Sequence, residues 1–317
     1  MNSFRSALLF EFFAYFCKNF KQQKRMSKLT GLFRKMRGSV GDVTFRQVAG
    51  TTVVSEKSTS PAQPRTYAQM RQRVMWRNLQ NIYRALQPYN HPSFEDARGF
   101  RRDAQMFMSA NLGVIPIYLT RSEAVQGAAV IAPYQITRGS LPAIDVNASG
   151  VSGEVGTDIS LGNLTIGEET TVAQFSAAVV NNNENFHYGD QISAIVVRQM
   201  TNSSTNVPYV AVQAFEVTLS ASDTTTLLSD IDPDGLVFAK QGSSDKLGMN
   251  QTVNGGVVYI HSRKSASKTL VSTQRFVVAN TIMSRYQSDA KLDEAILSYG
   301  GKLDNQFLTP DLAPVTA

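Results

Sequence analysis

The sequence predicts an α+β protein: an N-terminal β-hairpin plus two-helix unit, followed by an immunoglobulin-like antiparallel β-sandwich with an inserted helix and a C-terminal helix. Three observations carry this expectation. Between residues 143 and 280, short β-branched or alternating runs recur with turn-rich stretches between them. Between residues 66 and 112, apolar side chains recur at helical spacing beside a row of arginines. The apolar content is 42% and the charged content only 18%, with Ser, Thr, Asn and Gly plentiful, which suits a turn-rich β body better than long helices. A chain of 317 residues holds one large domain or two modest ones, each able to bury its own core.

Residues 1–40 read as a basic arm. Its first 25 residues carry Arg5, an apolar run from Ala7 to Cys17 interrupted by Glu11, and the basic stretch Lys18 to Arg25. That run is too short to span a bilayer and is followed by no small-x-small cleavage site. Three readings stand: a segment absent from a mature chain that starts at Met26, an aromatic docking arm, or membrane contact, which is the least favoured. Cys17 is the only cysteine, so no intramolecular disulfide forms and a disulfide-stapled extracellular scaffold is excluded.

Residues 41–112 form the hairpin and helix unit. Val43 to Val48 and Thr51 to Ser55 flank Ala49-Gly50 and predict a hairpin. A Pro-containing connector, Ser58 to Thr66, follows. Thr66 then caps a helix with Met70, Val74, Leu79, Ile82, Tyr83 and Leu86 on one face, ending before Pro88. Its other face shows Arg71, Arg73, Arg77 and Arg84 around the single Trp76. Ser93 is expected to cap a second helix with Phe94, Ala97, Phe100, Ala104, Phe107 and Met108 inside and Arg98, Arg101 and Arg102 outside, completing an αα-hairpin.

Residues 113–142 read as an apolar linker and sandwich-entry segment. Residues 143–280 supply the sandwich strands: 143–147, 158–166, 191–200, 207–219, 236–240, 256–264 and 269–279. A helix from Thr171 to Asn181, with Val172, Phe175 and Val179 on one face, is inserted among them. Residues 281–317 give a helix from Ser288 through Leu292, Ala295, Ile296 and Tyr299, stopped by Gly300-Gly301, and a tail.

Charge is segregated along the chain. Residues 1–103 carry 19 Lys/Arg against 6 Asp/Glu, and residues 104–317 carry 12 against 19. Such a division suits a protein whose basic end docks on nucleic acid, lipid headgroups or the acidic end of another copy. Motifs for chemistry are scarce. His91, His187 and His261 are far apart in sequence, none with a second ligand at metal spacing, and no nucleophile elbow or phosphate-binding glycine loop occurs. Asp230-Ile231-Asp232-Pro233-Asp234-Gly235 matches the first half of a calcium loop, but position twelve is Gln241 instead of a bidentate Glu. An acidic Pro-Gly turn accounts for Asp230, Asp232 and Asp234 equally and is the preferred reading. No cofactor is expected.

Two stretches together carry a resemblance. Gly38-Ser39-Val40-Gly41-Asp42-Val43-Thr44-Phe45, followed by Gly50, Val53, the Pro-containing connector and Gln69-Met70-Arg71-Gln72-Arg73, resembles the opening of an uncharacterised protein family of Bacteroidetes and their phages. Tyr134-Gln135-Ile136-Thr137-Arg138-Gly139-Ser140-Leu141-Pro142 is similar to that family's short strand entering a sandwich domain. The enlarged sandwich and C-terminal extension look like the crAss-like gut phage versions. The resemblance implies a phage virion or assembly component without catalysis, and so a virion location. The charge division adds the expectation of a homo-oligomer that also meets other virion proteins. Nucleic-acid binding by Arg71, Arg73, Arg77, Arg84, Arg98, Arg101 and Arg102, with Trp76 or Tyr67 stacking, is the alternative. A ligand- or glycan-binding surface module using Phe186, Tyr188 and Tyr209 is the third reading.

Overall fold

The computed structural model describes residues 27–29, 37–48, 51–57, 65–89, 93–95, 100–148, 155–241, 244–249, 254–266, 268–301 and 303. The apolar run before Met26, Cys17, His91, Arg98, the Ala49-Gly50 turn, most of the Ser58 to Thr66 connector and the tail beyond 303 lie outside these residues. The chain forms two compact units, Met1–Pro64 and Arg65–Ala317. This boundary falls inside the stretch read as one hairpin and helix unit.

In the first unit, β3 (Val43–Val48) and β4 (Thr51–Glu56) pair antiparallel, with Val48 opposite Thr51, as the sequence predicts. The stretch 27–40, read as a basic arm, contributes two further strands, β1 (Ser27–Leu29) and β2 (Gly38–Val40), giving the order β1-β4-β3-β2. The physical reason is the turn Gly41-Asp42. Gly41 has φ +55°, the left-handed backbone that a two-residue hairpin turn needs and that glycine supplies without strain.

The second unit is layered around one antiparallel sheet of order β13-β12-β8-β9, in which β15 also pairs with β12. Its long strands are β8 (Gln191–Thr201), β9 (Pro208–Thr218) and β12 (Gly255–Lys264); β13 (Thr269–Val271) and β15 (Val277–Ala279) are short. Both faces of the central strands are buried. Ile195, Val197, Val258 and Ile260 pack toward α1 (Tyr67–Leu86) and α2 (Phe100–Asn111), while Ile192, Ala194, Val196 and Tyr259 pack toward a second sheet and helix α4 (Val172–Asn182). That second sheet, order β10-β11-β7-β6, contains β6 (Val146–Ala148), β7 (Val155–Ser160), β10 (Ala239–Lys240) and β11 (Lys246–Gly248). The result is an α+β fold with a sandwich-like sheet arrangement. Strands buried on both faces read as continuous apolar runs, which explains the stretch Ile192 to Val197.

Two expectations are corrected. Ser93 does not cap the second helix: Phe94 is buried and forms a parallel bridge with Arg138, and α2 runs from Phe100. The carboxylate of Glu95 holds this segment in place, accepting from Ser140 N–H at 2.8 Å, Val271 N–H at 2.8 Å and Lys268 at 3.2 Å. The apolar stretch after Gly113 is also not a linker. Ile117, Tyr118 and Leu119 and the run Ala128 to Ala132 are buried within the unit, around a short helix α3 (Arg121–Val125) that the sequence reading missed.

An extended run buried in this way must find partners for every backbone group. Side-chain amides supply most of them. Asn78 donates to Val130 C=O at 3.0 Å and accepts from Val130 N–H at 2.9 Å. Gln199 accepts from Ile131 N–H at 2.9 Å and donates to Ala129 C=O at 3.1 Å; Asn81 donates to Ala128 C=O and Asn280 to Ile131 C=O. The same two-way grip recurs between Asn111 and Gln135, at 2.8 Å each way, in β5 (Gln135–Thr137), which pairs with β14 (Gln274–Arg275), and between Asn183 and Ser160, at 2.9 and 2.8 Å.

Helix ends follow the sequence closely. Thr171 caps α4 in a capping box with Gln174, and Ser288 caps α6 (Asp289–Ser298) by accepting from Lys291 N–H. At the other end of α6, Gly300 has φ +73°, Gly301 N–H donates to Ile296 C=O and Gly300 N–H to Leu297 C=O, both at 2.9 Å, which is the Schellman motif. Thr66 occupies the N-cap of α1 without a side-chain bond.

Candidate functional site

The basic face of α1 is the first candidate. One side of this helix is buried through Met70, Val74, Asn78, Leu79, Ile82 and Leu86, so its charged residues are left on the solvent side. Arg73, Arg77 and Arg84 are spaced by four and seven residues and fall in one row, with Trp76 exposed beside it. Arg71 is exposed but lies off that row. None of these four guanidiniums is in an ion pair among the described residues; Arg77 reaches Gln80 at 3.5 Å and Arg73 touches Met70 sulfur at 3.7 Å. Arg101 and Arg102 belong to α2, and Tyr67 opens α1, half-buried against Met70 and Leu292.

The second candidate was invisible in the sequence. His187 and His261, 74 positions apart, converge on Asp190. Strand pairing causes this: His261 lies opposite Ile192 and Ser262 opposite Gln191, so the end of β12 runs alongside the residue that precedes β8. His261 and Arg263, two residues apart, point to the same face. Asp190 is buried and accepts from Arg263 Nε at 2.6 Å and Nη2 at 2.7 Å, from His261 Nε2 at 2.9 Å and from His187 N–H at 2.8 Å. Arg263 Nη2 also donates to His187 Nδ1 at 2.6 Å and to Asn185 C=O at 2.9 Å. Phe186 stacks on the His261 ring at 4.4 Å.

Burial works to raise the Asp190 carboxyl, but the hydrogen bonds from Arg263, the His187 backbone and His261 outweigh it and hold it below the usual carboxylate range. Burial pushes the His261 imidazole down against the pull of Asp190, with Arg263 and His187 adding to the depression. Since a carboxylate only accepts, His261 donates from Nε2 and carries its lone pair on Nδ1. A hydroxyl on that Nδ1 would complete a nucleophile and base pair. Among the described residues Nδ1 is buried and has no hydrogen-bond partner. The bonds to Asp190 fasten the loop before β8 to the end of β12.

Asp232 is buried, and its carboxylate accepts from Leu236 N–H at 2.9 Å, Val237 N–H at 2.8 Å and Phe238 N–H at 2.9 Å. Asp230 sits in the short helix α5 (Leu228–Ile231) and accepts from Leu227 N–H, while Gly235 turns at φ +56°. The acidic sequence is therefore turn chemistry, and Asp232 is spent on backbone. Among the described residues no three His, Cys, Asp or Glu side chains gather at metal-binding distance. The aromatics do not gather either. Phe186 is buried; Tyr188 and Tyr209 are exposed but stand near opposite ends of the β8–β9 hairpin, about 30 Å apart by strand rise.

The residues of the Tyr134 to Pro142 motif prove to be stitching. Thr137 donates to Ser272 C=O at 2.7 Å, Leu141 bridges Ser272 in parallel, and Ser140 grips Glu95. A Cβ on Gly139 would collide with Val271 C=O and the Glu95 carboxylate, so only glycine fits. No helix among the described residues is long and apolar enough to cross a membrane. No protein-family model, curated protein or solved structure matches the chain.

Proposed function

We propose that this protein is a non-enzymatic structural or assembly component of a phage virion, docking through its basic N-terminal region onto a neighbouring subunit or another acidic partner. The observation that carries this reading is the charge division of the two units. Residues 1–64 hold 11 Lys/Arg against 3 Asp/Glu, net +8, while residues 65–317 hold 20 against 22, net −2. Within the second unit, Arg73, Arg77 and Arg84 extend the basic character onto an exposed helix face. Unlike surfaces on one chain favour head-to-tail contacts between copies. The phage setting rests on the resemblance of the Gly38 to Phe45 and Tyr134 to Pro142 motifs.

Nucleic-acid binding is the second reading, favoured by the exposed Trp76 beside the arginine row, since stacking plus guanidiniums is how single strands are held. A salt titration separates the two. Retention on single-stranded DNA at low salt, falling steeply as salt rises and lost in Trp76→Ala, supports the second reading. No retention at low salt, with larger assemblies of the chain alone, supports the first.

A further inference from the structure

Strand β9 ends the central sheet. It pairs with β8 from Pro208 to Thr218 without a register shift, and with no other strand among the described residues. The bonds at its two ends fix which groups face outward. Asn202 N–H donates to Val207 C=O, and Leu219 exchanges bonds with Asp190 C=O and Gly189 N–H, so odd-numbered residues turn toward β8. Pro208 C=O accepts from Ala129 N–H on the other side. Antiparallel alternation therefore turns the N–H and C=O groups of Val210, Val212, Ala214 and Glu216 away from β8. Among the described residues none of these groups has a partner.

Edge strands are ordinarily blunted by lysine, proline, a bulge or a short length. β9 has none of these: it is 11 residues long, has no proline after Pro208, and Glu216 is its sole charge. Even that charge is drawn back over the sheet, where Gln191 donates to Glu216 Oε2 at 2.8 Å. Only another extended backbone matches such a row of alternating donors and acceptors.

We propose that β9 pairs antiparallel with β9 of a second copy across a two-fold axis at Gln213, joining two central sheets into one. This register places Ala214 opposite the partner's Val212 and Glu216 opposite the partner's Val210, so all the outward groups are used and no two carboxylates meet. Exposed Gln213 faces its own counterpart in the close, non-hydrogen-bonded pair, where the two amides bond. Exposed Tyr209 comes opposite the partner's Val217. An open groove of about 390 Å³, lined by Pro88, Tyr89, Ala214 and Glu216, lies beside this edge.

Sedimentation equilibrium of the full chain tests this pairing independently of the basic docking, because backbone and apolar contacts persist when salt is raised. A dimer at high salt is expected. Gln213→Lys, which sets two cations together at an exposed position, is expected to abolish it while the monomer keeps the parent's far-ultraviolet circular dichroism and cooperative unfolding. In a Cys17→Ser background, Gln213→Cys is expected to oxidise to a covalent dimer, whereas the exposed Glu169→Cys is not. A monomer at high salt, a dimer that survives Gln213→Lys, or cross-linking no faster at 213 than at 169 overturns the proposal.

Discussion

A side-chain amide has the donor and acceptor of a peptide group, which is why Asn78, Asn111 and Asn183 can each stand in for one residue of an adjacent strand. Asn78 is the most consequential, being fully buried and also donating to Tyr134 Oη at 2.8 Å. Asn78→Ala leaves Val130 N–H and C=O without partners and is expected to cost about 3 kcal/mol or more, read from urea unfolding. Gly139→Ala is expected to destabilise by about 1–3 kcal/mol through overpacking against Val271 and Glu95. The Asp190 cluster gives a pH signature. The His261 imidazole is depressed below its ordinary 6.5, so the unfolded chain takes up the proton first as pH falls. Stability is then full above about pH 6.5 and declines below it, by at most about 1.4 kcal/mol per pH unit for one group. The Asp190, Glu95 and Glu123 carboxyls, also depressed, add losses of the same sign as each is protonated at lower pH. Thermal melts of His261→Gln are expected to flatten between pH 7 and 5; an unchanged slope would assign it elsewhere.

At the scale of elements, the caps are the most local features and behave as local chemistry dictates. Gly300→Ala forces a side chain into the left-handed conformation at the end of α6 and is expected to cost about 1 kcal/mol, as is Thr171→Ala at the start of α4, both measurable as lowered melting temperatures. These two helices were legible because Thr171, Gln174, Ser288 and the Gly300-Gly301 pair carry their signals within a few residues. The long strands were legible from their apolar and β-branched stretches, such as Ile195 to Val197, Val210 to Val212 and Val257 to Ile260. What was not legible depends on distant partners. Ser93 and Phe94 carry a helix-start signal that the long-range bonds of Glu95 to Ser140 and Val271 override. The apolar run Ala128 to Ala132 has no period of its own because amides from Asn78, Asn81, Gln199 and Asn280 hold it. The His187, Asp190, His261 and Arg263 cluster exists only once β8 and β12 are in register, so spacing along the chain gave no hint of it. By contrast, the Gly41-Asp42 turn was there to be read as a hairpin signal, and the basic composition around it concealed the strand.

For the whole molecule, the two proposed associations use two kinds of surface. Contacts through the charge division would weaken with ionic strength, and contacts through the open β9 edge would not. Arg73, Arg77 and Arg84 belong to the first kind, so replacing all three with Ala is expected to reduce low-salt assembly while leaving the melting temperature within about 1 °C, since exposed substitutions of this kind change stability little. Assembly through the basic region is read from the native mass of the full chain as a function of salt. Species larger than a dimer are expected at low salt, falling to a dimer as salt rises. A mass that is independent of salt, with no association to an acidic partner at any ionic strength, would contradict it.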